Sequence, residues 1–391
     1  MKTSNFFGVK SVRRLIGNEK AGGLTLILCT LASIILTNSG IGENYLNLWQ
    51  LNIGAHTMSD WINEGLMTIF FFLVGLELVK EIKEGELSDK KRAMLPVSAA
   101  LGGMLIPACT YLFFNWESPS QSGFGIPMAT DIAFALGGLS LLGNRVPISL
   151  KVFLTALAVI DDFGAIVVIA VCYTTSLVWI YLLIAFVIWI VLFVLNKNYN
   201  VTTIIPYLIG GVIMWFCMLH SGVHATIAGV LLAITIPLKK GDSRCLSNKL
   251  QYLLRYPVMF GILPLFALAN TAIILDGNYS LSIREPSSLG ILLGLIIGKP
   301  LGITIFSLIF VKMGLCALPR GVKWKELLGV GMLGGIGFTM SIFFTILSFQ
   351  NVIQINQSKL MILLGSLVSG IIGYTWLNFV LKIKKSFNKL S

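Results

Sequence analysis

The sequence predicts an all-α integral membrane protein of twelve transmembrane helices, and three observations carry that prediction. Mean hydropathy is +0.86, with 56% hydrophobic and only 12% charged residues, far from the composition of a soluble globular domain. Apolar runs recur along the whole chain at about the 20 residues needed to cross a hydrocarbon core about 30 Å thick. Lysine and arginine gather in the two terminal segments and in every second loop.

The runs are Ala21–Asn38, Ser59–Lys80, Leu95–Asn115, Phe124–Leu142, Leu150–Tyr173, Leu177–Leu195, Thr203–Leu219, Val223–Leu238, Tyr256–Ile274, Leu289–Val311, Leu327–Phe349 and Lys359–Leu381. Membrane β-strands are about ten residues long and alternate apolar with polar. These runs are too long and too evenly apolar for that.

All but three of the 29 Lys and Arg fall on one side of this layout, in the termini and in Lys80–Arg92, Arg145–Lys151, Lys197, Lys239–Arg255 and Lys312–Lys325. Arg284 and Lys359 fall on the other side, and Lys299 lies inside a span. The positive-inside rule makes both termini cytoplasmic, which requires an even number of spans. The same distribution explains the net charge of +12 without nucleic acid, since no basic surface patch is left over.

The chain reads as a single membrane domain over residues 1–391, with no separate soluble domain. Met1–Lys20 mixes Phe6, Phe7, Val9, Val12, Leu15 and Ile16 with Lys10, Arg13 and Arg14, the pattern of a cytoplasmic amphipathic helix on the membrane surface rather than a cleaved signal. The outer segment 39–58 reads as a loop or a β-hairpin. In Tyr45–Gly54, Leu46, Leu48, Leu51 and Ile53 interleave with Asn47, Gln50 and Asn52, roughly the alternation of a short strand pair. Six cysteines lie in helices or on the cytoplasmic side, with no disulfide framework and no metal-ligand spacing.

Two spans break the composition of an ordinary membrane helix. The fourth carries Gly123, Gly125, Pro127, Thr130 and Asp131; the eleventh carries Gly331, Gly334, Gly335, Gly337 and Thr339. Small residues also serve close helix packing, but interrupted helices at matching positions of two halves point to a transporter site. Span three leaves the cytoplasm while span ten enters from outside, so spans 3–5 and 10–12 are expected as repeats of opposite orientation.

Four charges fall near mid-span: Asp131, Asp161, Asp162 and Lys299. Each costs at least about 2.5–3.5 kcal/mol there, so they must face one another, water or an ion. Three carboxylates against one lysine leave an excess of negative charge that suits a cation or exchangeable protons. Neighbours on a helix point about 100° apart, so one of Asp161 and Asp162 meets Lys299 while the other faces the ion path, and spacing leaves open which. Sodium is hard and takes oxygen ligands, and Asp162, Asp131, the Thr130 hydroxyl and freed carbonyls supply them. Protons and sodium would then compete for the same carboxylates. The helix breaks add half-helix ends inside the membrane, which Asp131 and Lys299 have the right charges to balance.

An intramembrane aspartyl protease would also use two membrane carboxylates, but gives no reason for Lys299 or for two broken helices. A sodium-coupled carrier of organic anions should show surplus basic groups in the core, where Lys299 stands alone. A channel would be marked by flux without saturation or proton coupling.

The stretches Ala129–Ala135 (ATDIAFA), Ile160–Ala165 (IDDFGA), Ser221–Thr226 (SGVHAT), Gly298–Gly302 (GKPLG) and Gly334–Ser341 (GGIGFTMS) together closely resemble NhaA-type sodium/proton antiporters, in matching order over nearly the full chain. Paired broken helices are a feature for which that family is itself an example. The resemblance implies twelve helices, with helices four and eleven crossing at unwound centres. It implies electrogenic, pH-regulated exchange in a bacterial inner membrane, more protons entering than Na+ leaving. Li+ is a further candidate cargo, and no cofactor is implied. It also implies that Asp161 and Asp162 carry ion and proton exchange, with Lys299 near Asp161 and with Thr130 and Asp131 at the break of helix four. The family places pH-response glutamates at Glu77 and Glu81 and a modulating histidine at His224. By residue type alone these are ordinary helix-end charges and a structural histidine, and Glu64 at the opposite end of its span is equivocal. Some members carry further histidines before helix nine, where this chain has Tyr252 and Arg255. Family dimers use the hairpin after helix one, which implies a homodimer.

Overall fold

Apolar surroundings leave backbone N–H and C=O groups no partner but each other, so a chain of this composition folds into helices. The computed structural model describes residues 6–174, 177–199, 201–239, 241–242, 245–275, 283–319 and 321–390. In chain order its elements are α1 (Phe6–Thr37), α2 (Gly42–Gln50), the strands β1 (Asn52–Ile53) and β2 (His56–Thr57), α3 (Met58–Glu84), α4 (Lys90–Asn115), a 3-10 segment Gln121–Met128, α5 (Ile132–Leu141), α6 (Ile148–Cys172), α7 (Trp179–Lys197), α8 (Ile205–Ser221), α9 (Thr226–Thr235), α10 (Leu246–Asn270), α11 (Pro286–Lys312), α12 (Trp324–Gly334), α13 (Phe338–Ser348) and α14 (Val352–Leu390).

Among the described residues, eight helices are long and apolar enough to cross a membrane, or ten if each of two bent pairs is one span. The pairs are α1 with α2, bent by 114°, and α12 with α13, bent by 48°. Two shorter apolar helices, α8 and α9, stand beside them.

The segment 39–58, read as a loop or a β-hairpin, holds a helix followed by a short strand pair. Tyr45–Gln50 belongs to α2, and pairing is confined to Asn52 with Thr57 and Ile53 with His56. The alternating leucines misled, because Tyr45 and Trp49 are also one helical turn apart and pack edge to face at 5.6 Å. The Thr57 hydroxyl and Asp60 then form a capping box that starts α3. Of the expected amphipathic Met1–Lys20, the first five residues lie outside the described residues, and the backbone of Phe6–Lys20 is helix continuous with α1.

The residues group into two compact units, Met1–Leu28 with Lys91–Asp161 and Leu275–Ser391, and Cys29–Lys90 with Asp162–Ile274. In the first, α11 and α14 run side by side, with Gln357 donating to Glu285 at 3.2 Å and Ser369 to the Leu295 carbonyl at 3.4 Å. In the second, α3 packs on α9. A side chain at Gly75 would meet Ala233 Cβ at 2.7 Å, and one at Gly229 would run into the carbonyl of Thr68. Only glycine permits so close an approach.

Candidate functional site

The segment expected as the fourth span is helical in two pieces with extended backbone between them. The 3-10 segment ends at Met128, Ala129 and Asp131 have ψ of 149° and 102°, and α5 begins at Ile132. Pro127 and the surrounding glycines disfavour a regular ladder here. The segment expected as the eleventh span breaks at Gly335–Gly337, between α12 and α13. Phe338, which opens α13, has a positive φ of 20°, an uncommon backbone state for a bulky residue. Its N–H is held by Ser366 Oγ at 3.1 Å, and its ring packs edge-on to Phe134.

The two breaks satisfy each other's backbone groups. Asp131 N–H donates to the Ile336 carbonyl at 2.7 Å, the Thr130 hydroxyl to the Gly334 carbonyl at 2.9 Å, and Ser341 Oγ to the Ile126 carbonyl at 2.6 Å. Buried polar groups left by unwinding must find such partners.

Asp131, 3% exposed, serves two helix starts at once. Its Oδ1 accepts from the N–H groups of Ala133 and Phe134 at 3.1 and 3.2 Å, capping α5. Its Oδ2 accepts from the N–H and hydroxyl of Thr339, in the first turn of α13, at 3.3 and 2.5 Å. A carboxylate offers about four lone-pair sites, and these four donors occupy them. Thr339 was visible in the sequence only as part of a glycine-rich motif; a partner 208 residues away leaves no local signal.

Lys299 lies in α11 directly after a π-helical turn, Gly294–Gly298, and before Pro300. Proline removes one ladder N–H, and together with the π turn it loosens the helix where the lysine leaves it. Gly102 of α4 and Gly302 of α11 bring the two backbones together, since a Cβ on either would run into the other's carbonyl. Lys299 is 1% exposed and donates to the carbonyl of Met128, the last residue of the 3-10 segment, and to Asp161 Oδ2 at 2.7 Å. Asp161 is 2% exposed, and among the described residues its Oδ1 has no hydrogen-bond partner. Asp162, the next residue on α6, is equally buried.

The remaining candidates lie on α3 and in the turn before α9. Glu77 is partly buried in α3, within the field of Arg255, Lys80 and Glu81. Glu81 Oε1 accepts from the Glu86 N–H at 2.8 Å, closing the turn after α3. His224 is joined to Glu64, its Nδ1 3.4 Å from Glu64 Oε1, a pairing across 160 residues that sequence spacing does not reveal.

A buried lysine is thus paired with one of two adjacent aspartates, beside two broken helices that satisfy each other's backbone groups. The sequence profile of the family described as Na+/H+ antiporter 1 matches residues 13–377. The chain belongs to that family. It is similar to the Na+/H+ antiporter NhaA of Cytophaga hutchinsonii, with 56% identity over 370 residues and 95% of each chain covered. A protein of the same name from Flavobacterium psychrophilum is 58% identical over 365 residues, 93% of this chain and 95% of its own. The Na+/H+ antiporter NhaA 1 of Flavobacterium johnsoniae is 55% identical over 377 residues, 96% and 99% of the two chains. Members of the family are transporters and not enzymes, which removes the protease reading.

Proposed function

We propose that this multi-pass protein of a bacterial inner membrane exchanges Na+ for H+, expelling Na+ as a larger number of protons enters. Asp161 and Asp162 hold the two ions in turn. The observation that carries the reading is Asp161: a buried carboxylate with one oxygen on Lys299 and the other without a hydrogen bond among the described residues. An unsatisfied buried acceptor costs about 1–3 kcal/mol, and a proton or a cation removes that cost. Family membership supports Na+ and H+ as the cargo.

In this reading Asp131 balances the N-terminal ends of α5 and α13, and Lys299 balances the carbonyl end of the 3-10 segment, as half-helix dipoles require. Thr130 lends its hydroxyl oxygen to the ion path, and Asp131 would have to exchange one of its four donors to do the same. The twelve-span count follows if α1, α8 and α9 each cross and α12 with α13 make one span. Spans 3–5 and 10–12 are then inverted repeats, each a long helix, a broken one and a long one. Both termini are cytoplasmic, the outer segment 39–58 joins two copies in a dimer through Tyr45–Gly54, and Glu77, Glu81 and His224 tune the response to pH.

The test is a proton gradient imposed on everted vesicles that hold this protein as their only sodium exchanger. Added Na+ collapses the gradient and added K+ leaves it standing. A gradient indifferent to Na+ at every pH would overturn the proposal.

A further inference from the structure

Away from the buried aspartates, polar groups of three helices and of the turn before α9 converge on one turn. Trp61–Leu66 is a π-helical turn within α3, a distortion that recurs at functional positions. The backbone carbonyl of Glu64 accepts the Trp215 indole N–H of α8 at 2.9 Å and the Thr68 hydroxyl at 2.5 Å. Its carboxylate is divided between two partners just before α9. Oε2 accepts from the Ala225 N–H at 3.1 Å, and Oε1 stands 3.4 Å from His224 Nδ1. Beside it, Asn63 accepts from Asn270 of α10 at 2.8 Å. Trp61 stacks on Trp215 with ring centres 6.0 Å apart, and a small cavity lined by His56, Asp60, Trp61, Glu64, Trp215 and Leu219 adjoins the carboxylate.

We propose that Glu64 is a positioning residue for the pH response, forming with His224 a proton-sensitive clasp between α3 and the start of α9. The proposal rests on the reading of His224 as a pH-responsive group. Histidine is the side chain whose charge ordinarily changes between about pH 5 and 8, so the character of its contact with the carboxylate depends on pH. In acid the contact is charge-assisted. In alkali the imidazole is neutral, and the Ala225 N–H remains as the firm partner of Glu64. Both side chains are a fifth to a quarter exposed, so protons reach them.

The other titratable groups facing this carboxylate have partners elsewhere. Asp60 accepts from the N–H and hydroxyl of Thr57 at 3.0 and 2.7 Å, and His56 stands edge-on to Trp61. On α8, His220 turns to the Phe216 carbonyl and packs on Tyr181. Helix α9 brings no titratable side chain, and α10 brings the neutral Asn270. Because α3 and α9 meet through Gly75 and Gly229 without slack, a change at the clasp passes along α3 rather than being absorbed beside it.

The experiment is the pH profile of Na+-dependent proton movement, at saturating Na+, for full-length protein in proteoliposomes. Wild type is compared with Glu64→Gln, Glu64→Asp, His224→Ala and the double variant Glu64→Gln/His224→Ala. Glutamine keeps an oxygen for the Ala225 N–H and removes only the charge. Glu64→Gln and His224→Ala each move the profile to the acid side by a similar amount, about threefold in apparent proton affinity or about half a pH unit. The double variant moves no further than either, and Glu64→Asp keeps the wild-type profile. If the two shifts add, or if His224→Ala moves the profile and Glu64→Gln does not, the clasp is overturned while His224 keeps its role. A profile that neither variant moves overturns both.

Discussion

Replacing Lys299 by alanine removes one partner of a pair that is almost wholly buried, 1% and 2% exposed and 2.7 Å apart. Breaking such a pair costs about 3–5 kcal/mol, because the remaining charge is left in apolar surroundings. The Met128 carbonyl also loses its donor, adding up to about 1–3 kcal/mol if no other group replaces it. Taking about 3 kcal/mol, the lower end of these costs, as the loss near pH 8.5, and about 2 °C per kcal/mol for a chain of this size, the melting temperature should fall by about 6 °C. The assay is thermal unfolding in mild detergent followed by tryptophan fluorescence near pH 8.5 and near pH 5.5. Lys299→Ala/Asp161→Asn, which removes both charges, should recover much of the loss. A Lys299→Ala protein that melts like wild type at both pH values would refute the pairing argument.

Asp162→Asn should abolish exchange while the protein still inserts and melts normally, since the change keeps size and removes the exchangeable charge; Na+-dependent proton movement at the wild-type rate in reconstituted variant would sink the assignment. Thr339→Val keeps the shape of the side chain and its N–H bond but leaves one acceptor site of Asp131 unfilled. It should cost about 1–3 kcal/mol in thermal unfolding, and an unchanged melting curve would mean that the hydroxyl does not hold the carboxylate.

What the sequence made legible was whatever depends on the identity of a residue and its immediate neighbours. Hydropathy marked the membrane segments, and the glycines with Pro127 and Thr130–Asp131 marked the breaks. The cost of charge in lipid singled out Asp131, Asp161, Asp162 and Lys299 before any geometry was known. The pairing of Lys299 with one of two adjacent aspartates followed from helical spacing, but spacing could not say which. Asp131 with Thr339 and Glu64 with His224 meet only through packing, across 208 and 160 residues. Boundaries failed where a helix extends beyond its apolar stretch. Helix α10 begins at Leu246 and not at Tyr256, because its first turns carry Asn248, Lys249, Gln251 and Arg255 and resemble a loop to a hydropathy window. Helix α9 covers only Thr226–Thr235, with Gly222 in a left-handed conformation just before it ending α8.

The central claim is that Na+ and H+ compete for the same buried carboxylates, and one titration tests it most directly. Na+-dependent exchange is measured in proteoliposomes over a range of Na+ concentrations at several pH values. Competition for one site predicts an apparent Michaelis constant for Na+ that falls as pH rises, by up to about tenfold per unit for one competing proton. The maximal rate at saturating Na+ should change much less over the middle of the range. An apparent Na+ affinity that does not depend on pH would contradict shared-site exchange, whatever the variants at His224 and Glu64 do.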